Sequence, residues 1–118
     1  MPTKFLMTRD IAGFNGFGVT FTLDARSGIL AANVEQHITV PSEYSHYIAI
    51  FSYTPGSDIW VDGIGTAVVP TGAFSATTSQ LNPAARLVAA GDTLSFITDD
   101  LTGPNVSVLF YVAPPYTN

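Results

Sequence analysis

The two histidines are the first residues in this chain whose type could support chemistry. His37 and His46 lie on either side of Pro41. Glu35 and Glu43 are the only carboxylates near them. A zinc site needs three or four ligands at fixed spacing, and this arrangement lacks that spacing. We therefore expect exposed or half-buried histidines and no metal site.

A second group of candidates lies on a turn that contains Asp99 and Asp100, with Asn105 and backbone carbonyl groups nearby. Hard oxygen ligands of this kind can hold calcium. The spacing is not that of an EF-hand loop, and Asp and Asn are ordinary turn residues. We expect these side chains to stabilise the turn, and we predict no cofactor for the chain.

Trp60 and Tyr53, together with the carboxylate of Asp58, have the composition of a sugar-binding platform or a glycosidase site. Trp60 alternates along its segment with apolar neighbours, however, and this suits core packing equally well. The chain has no Ser-His-Asp ordering, P-loop or dinucleotide-binding fingerprint. We predict no catalytic residue, and we expect that the chain is not an enzyme.

The composition is rich in apolar residues, at 47%, and poor in charged residues, at 11%. Disorder needs the reverse balance, and an ordinary soluble domain carries about a quarter charged residues. Two explanations are open: a β-sandwich whose exposed positions are Thr, Ser and Asn, or a surface that partners partly cover. The chain has no cysteine, so it forms no disulfide, as suits assembly in a reducing cytosol.

The charge distribution argues against two classes of partner. The formal net charge is −5, and the only cations are Lys4, Arg9, Arg26 and Arg86. Four dispersed cations cannot form a groove that follows phosphates, so we expect no direct nucleic-acid binding. We also expect no membrane association, because the chain shows no signal peptide and no apolar run of membrane-spanning length.

Alternation of apolar and polar residues is clearest in residues 91–112, where we predict two strands around a turn. Leu94 and Phe96 share a face of the first strand. Leu109 and Tyr111 lie on the outward face of the second strand. Its opposite face carries Val106, Val108, Phe110 and Val112. Period two over this length is typical of strands with a defined core side, and we predict that the two strands form a hairpin.

Residues 47–53 form the most strand-like segment of the first half, and both of their faces are apolar. One face carries Tyr47, Ala49, Phe51 and Tyr53. Ile48 and Ile50 lie on the other face. A strand of this kind is central in its sheet, or its outer face is covered.

Glycine-rich segments of the first half predict loops and turns. Residues 11–18 form a loop that carries Phe14 and Phe17, which either pack back onto the core or contact a partner. Residues 24–28 have the composition of a turn, and residues 29–33 resemble the returning strand of a hairpin.

A long segment in the second half has two interpretations. We predict a brief strand at residues 67–69, followed by a small, hydroxyl-rich segment at residues 71–83. Loops of this length are uncommon in a compact domain unless they are functional. The segment is therefore a binding loop, or it contains a further strand around Phe74.

Together these patterns predict an all-β chain. About eight to ten short antiparallel strands, separated by Gly, Pro and Asn turns, are typical of a single-domain, jelly-roll-like β-sandwich. We expect an N-terminal arm and Gly-rich loop at residues 1–17, the sandwich at residues 18–112 and an extended tail at residues 113–118.

Residues 82–94 read NPAARLVAAGDTL and precede the strand VSVLFYV. This segment resembles small tailed-phage virion proteins, in which N-P-x-x-R-x-V-x-x-G-D-T-Leu precedes the last jelly-roll strands. The resemblance covers about residues 47–112. It implies a capsid decoration (cement) protein, which sits on the outer capsid surface, commonly as a trimer, and clamps neighbouring major capsid subunits. The family has no active-site residues to carry over.

From this resemblance we expect a virion structural protein that is assembled in the host cytoplasm and binds the major capsid protein. The alternative is a receptor- or carbohydrate-binding tip domain of a phage tail fibre, which would share fold and symmetry with a cement trimer. The expected capsid- or subunit-interface residues are Phe14, Phe17, Ile48, Ile50, Leu109 and Tyr111.

Overall fold

The computed structural model describes the backbone of residues 6–9 and 15–18 and all of residues 24–113. These ranges contain ten strands and no helix, which confirms the all-β prediction. The strands are β1 (Leu6–Arg9), β2 (Asn15–Gly18), β3 (Asp24–Ile29), β4 (Gln36–Thr39), β5 (His46–Tyr53), β6 (Ile59–Asp62), β7 (Gln80–Leu81), β8 (Ala85–Ala89), β9 (Thr93–Thr98) and β10 (Asn105–Val112).

Eight of these strands form two antiparallel four-stranded sheets that pack face to face. The first sheet has the order β3-β10-β5-β8, and the second has the order β4-β9-β6-β7. Successive strands mostly alternate between the two sheets, which is the arrangement of a jelly-roll sandwich. The predicted sandwich is therefore confirmed. Strands β1 and β2 pair with each other in a separate two-stranded sheet.

The predicted hairpin of residues 91–112 is wrong, although both of its strands exist. β9 pairs with β4 and β6 in the second sheet, whereas β10 lies between β3 and β5 in the first sheet. Each of these strands has one apolar face. The two apolar faces bury each other across the sandwich, and periodicity alone cannot distinguish this arrangement from pairing side by side.

The predicted turn at residues 24–28 is also wrong. Residues Asp24–Ile29 form one strand, β3, which pairs with β10 along its whole length. Gly28 is not among the glycines with positive φ, so it does not use the freedom on which the turn prediction depended. Cross-strand hydrogen bonds to β10 therefore override the turn composition of this segment.

Three further strand predictions need a correction or lie beyond the description. Residues 67–69 are not a strand, and the segment around Phe74 has no strand, since β7 begins only at Gln80. Residues 15–18, expected to lie in a loop, pair with β1 as strand β2. The alternation of Val19, Phe21 and Leu23 with two threonines predicts a further strand at residues 19–23, which lies outside the described residues.

The core lies between the two sheets and is built from their inner faces. Its members are Leu30, Val40, Tyr47, Ala49, Phe51, Ile59, Val61, Val88, Leu94, Phe96, Val106, Val108, Phe110 and Val112. Phe51 of the first sheet and Phe96 of the second meet edge to face, with ring centroids 6.2 Å apart and planes at 64°. Aromatic pairs favour this geometry. The predicted core faces of residues 47–53, 94–96 and 106–112 are confirmed.

We predict that Phe96→Ala lowers the free energy of unfolding by about 3–5 kcal/mol, because it removes a buried ring from the contact between the sheets. Urea denaturation measures this change. The control is Phe74→Ala, which removes the same side chain from a fully exposed position and should change the free energy by less than about 0.5 kcal/mol. Equal losses in the two variants would contradict the assignment of Phe96 to the core.

Candidate functional site

The outer face of the first sheet carries most of the predicted interface residues. One cross-strand row consists of Ala25, Leu109, Ile50 and Ala85. The next row consists of Tyr111, Ile48 and Leu87. We name these two rows the apolar sheet face. The row beside them consists of Ser27, Ser107 and Ser52. The predicted residues of β5 and β10 thus lie together on one uncharged surface.

Exposure varies across the apolar sheet face. Leu87 is 58% exposed, and Ile48, Ile50 and Leu109 are half-buried. Tyr111 occupies the predicted face but is only 5% exposed, so its ring is not open to a partner in this structure. Tyr111 therefore lies on the predicted face but is buried there, because lying on an outer face does not ensure solvent access.

The other two predicted interface residues, Phe14 and Phe17, belong to the N-terminal part of the chain. Phe14 lies outside the described residues. Phe17 lies in β2, of which the structure describes the backbone alone. Their assignment to an interface stays a prediction.

The histidine with the closest carboxylate is His37, on the outer face of the second sheet. Its Nδ1 lies 3.4 Å from Oε2 of Glu35, which also accepts a 2.6 Å hydrogen bond from the hydroxyl of Ser95. The Ser95 hydroxyl accepts a bond from the amide of Ala67 and is buried. Ser95 thus donates to Glu35 rather than to His37, whereas an activated serine needs a base as its acceptor. The cluster ties the chain at Ala67 to β9.

The other residues considered for chemistry are His46, Asp100 and Trp60, and the side chains of the first two form hydrogen bonds with residues close to them in the chain. His46 is exposed, and its Nδ1 lies 3.3 Å from the hydroxyl of Ser45. Asp100 accepts bonds from the amide and hydroxyl of Thr102, and the backbone bond is the main cause that lowers the pKa of this exposed carboxyl. Trp60 lies on the outer face of the second sheet.

The proposed pairing of Trp60 with Tyr53 is not present. Tyr53 belongs to the inner face of the first sheet, and its hydroxyl donates a 2.5 Å hydrogen bond to the carbonyl of Pro83. Burial raises the pKa of Tyr53, and the charge of Arg86 opposes this only in part. The two aromatic residues therefore do not form a common platform.

Residues 82–94 carry the family resemblance, and the structure gives their first residues a role at a strand end. Asn82 has a positive φ of 44°. Its side-chain oxygen accepts from the amide of Ile59, and its side-chain nitrogen donates to the carbonyl of Ser57, both at 2.9 Å. Asn82 thus satisfies backbone groups where β6 begins.

The last residues of that segment form the turn between β8 and β9. Gly91 has φ +79°, which favours glycine. The carboxylate of Asp92 accepts a 3.0 Å hydrogen bond from the amide of Ala89 and closes the turn. Turn and strand-end geometry thus explains Asn82, Gly91 and Asp92 of this motif.

Asp62, at the end of β6, holds both ends of the longest irregular segment that the structure describes. Oδ1 accepts from the amides of Ile64 and Gly65, at 2.9 and 2.8 Å. Oδ2 accepts from the hydroxyls of Thr78 and Ser79, at 2.6 and 3.0 Å. One carboxylate therefore joins the two ends of residues 63–79, which we name the clamped loop.

Contacts above the clamp hold the base of the loop on the second sheet, whereas the tip, which we define as residues 70–76, is exposed. Ala67 is buried and bonds to Ser95, and the amide of Val68 donates to the hydroxyl of Ser79. Every residue from 70 to 78 is exposed. Phe74, in the middle of this tip, is fully exposed to solvent.

The Asp62 carboxylate is held in its ionised form. Burial is the largest single influence on its pKa and acts to raise it, but the four hydrogen bonds together outweigh burial. The pKa of Asp62 therefore lies below its ordinary value of 3.8. Among the described residues, no buried side-chain nitrogen or oxygen lacks a hydrogen-bond partner.

In the sequence, Asp58 and Asp62 flank Trp60 at predicted strand ends, which indicates ordinary turn chemistry and does not reveal the clamp. The sequence signal for the clamp is the hydroxyl cluster at residues 77–79, which follows an uncharged segment and supplies the donors that bind Asp62. The partners are far apart along the chain, so spacing rules for local caps and turns could not identify them.

Two other kinds of site are absent from the part of the chain that the structure describes. The described residues contain no group of three or more His, Cys, Asp or Glu side chains placed to hold a metal ion. Nor do they include a helix with the length and apolar content needed to cross a membrane.

We predict that Asp62→Asn lowers the free energy of unfolding at neutral pH by roughly 1–3 kcal/mol, because the amide nitrogen cannot accept from Thr78 and Ser79. Since folding lowers the pKa of Asp62, its contribution to stability is present above pH 3.8 and is lost as pH falls through the folded pKa. Denaturation between about pH 5 and pH 2 should therefore show a shallower acid loss in the variant than in the wild type. Parallel profiles would contradict the role assigned to the carboxylate.

Comparison of the whole chain with protein-family models, with curated proteins and with solved structures finds no match. The likeness of residues 82–94 to phage decoration proteins is therefore an expectation from sequence. The features that the described residues offer for function are the apolar sheet face and the clamped loop.

Proposed function

We propose that this chain is a non-enzymatic structural protein of a virion, which decorates the outside of a capsid as a homotrimer and bridges major capsid subunits. The observation that carries the proposal is the apolar sheet face. Its residues contribute no charge across four neighbouring strands, although they lie on the side of the sheet that faces away from the core.

An antiparallel sheet with one face in water normally alternates apolar inward residues with polar outward ones. β5 and β10 depart from this pattern, since Ile48, Ile50 and Leu109 point away from the core. Leu87 extends the same surface to β8 at the edge of the described sheet. Contiguous apolar surface of this kind is typical of contacts between subunits, so we assign the apolar sheet face to packing between copies.

Two properties of the whole chain support the proposal. Charged residues are only 11% of the chain, and a partly covered surface explains this scarcity better than an isolated domain does. Residues 82–94 add the resemblance to decoration proteins, although their residue types also suit the turns that they form. A decoration protein acts through many weak contacts repeated by symmetry, and it needs no catalytic group.

We expect light scattering of the purified protein to give about three times the 12.5 kDa mass of one chain. Leu109→Lys should shift the protein towards monomer and weaken association by about 30-fold or more, because it places an unpaired charge within the apolar sheet face. Leu109 is a better probe than Tyr111, whose burial would mix an effect on folding with an effect on assembly.

The matched control is Leu101→Lys, in which the same substitution is made at a turn residue that is 90% exposed. It should leave the mass unchanged. A monomeric wild type at micromolar concentration would overturn the trimer, and a trimeric Leu109→Lys variant with native circular dichroism would show that copies do not pack through this face.

A further inference from the structure

The tip of the clamped loop combines full exposure with fixed ends. Phe74 is fully exposed, while the two ends of the loop share the buried carboxylate of Asp62. A second tie joins Ala67 to the buried hydroxyl of Ser95. These bonds restrict the base of the loop before any partner is bound, and prior restriction reduces the conformational entropy that binding must remove.

The chemistry of the tip selects the kind of partner. Residues 63–79 include no Asp, Glu, Lys, Arg or His, and the whole chain has a net charge of −5. An uncharged loop on an acidic chain has nothing with which to attract phosphates, whether of nucleic acid or of anionic lipid. An exposed aromatic ring with small hydroxyl neighbours fits an uncharged apolar pocket, and buried aromatic anchors often dominate protein interfaces.

The clamped loop is anchored to a different sheet from the apolar sheet face, although Leu87 of that face lines one cavity with Gly63 and Ile64 of the loop. The bond from Ala67 to Ser95 of β9 places the base of the loop on the outer face of the second sheet. The apolar sheet face belongs to the first sheet, on the other side of the sandwich. Copies packed through the first sheet would leave a loop on each copy, so a trimer presents three tips, and their joint binding is stronger than that of one.

We propose that the clamped loop is the element that binds the capsid, with Phe74 inserted into an uncharged apolar pocket of the major capsid protein. This inference rests on the proposed function, which it deepens by naming the contact residue and the chemistry of the pocket. The contact between copies and the contact with the capsid then use opposite sides of one sandwich.

The test compares three proteins on heads purified from a strain of the source virus that lacks this gene. They are the wild type, Phe74→Ser and Leu101→Ser, the last of which removes another highly exposed apolar side chain, at a turn elsewhere in the chain. Binding is measured by cosedimentation at about 50 and about 500 mM NaCl. The higher salt concentration screens exposed charges and so removes most of the attraction between them. Vesicles of neutral phosphatidylcholine serve as a second probe.

We expect Phe74→Ser to weaken binding to heads by about 30-fold or more and Leu101→Ser to leave it within about threefold of the wild type. The ratio of wild-type to Phe74→Ser affinity should be the same at both salt concentrations, because the pocket is uncharged. Neither the wild type nor Phe74→Ser should sediment with the vesicles.

Three results would overturn the inference while leaving the proposed function in place. They are equal binding of heads by wild type and Phe74→Ser, an equal loss in Leu101→Ser, and an affinity ratio that collapses at high salt. Wild-type binding to vesicles that Phe74→Ser abolishes would assign the loop to lipid and overturn it as well. Failure of the wild type to bind heads at all would overturn the proposed function and this inference with it.

Discussion

The structure depends on the contact between the inner faces of two four-stranded sheets, at which Phe51 and Phe96 meet edge to face. The chain has no cysteine, and residues 24–113 have no helix to cover a sheet. Short strands can therefore bury apolar side chains only against one another. Each sheet buries apolar side chains on its inner face, so the residues of its outer face are not constrained by packing between the sheets.

The two outer faces meet different requirements. That of the first sheet is uncharged and largely aliphatic, and we assign it to contacts between copies. That of the second sheet carries hydrogen-bonded polar groups, Ser95 with Glu35 and Asp62 with the ends of the clamped loop. A hydroxyl or carboxylate is stable on this face because every bond it needs is made within the chain. A loop with an exposed aromatic tip can therefore stand on a rigid base.

In residues 82–94, some residues that produce the resemblance to decoration proteins are also residues that the turns and strand ends require. Asn82 completes backbone hydrogen bonds at a strand end, and Gly91 and Asp92 form a turn. These three residue types follow from local geometry, so any jelly roll with the same strand ends and turns would favour them. The motif therefore supports the fold more directly than it supports a role on a capsid. The proposal of that role depends mainly on the apolar sheet face.

Period-two alternation determined by itself that residues 93–98 and 105–112 are strands, and which of their faces lie in the core, whereas residues 47–53 read as a strand with two apolar faces. Only the tertiary structure decided their partners, because an apolar face is satisfied equally by a neighbour in its own sheet or by one across the sandwich. For the same reason the sequence could not assign β9 and β10 to different sheets. The clamp at Asp62 also depends on residues distant along the chain. Local patterns report the faces of strands, whereas pairing, solvent access and long-range hydrogen bonds are properties of the folded chain.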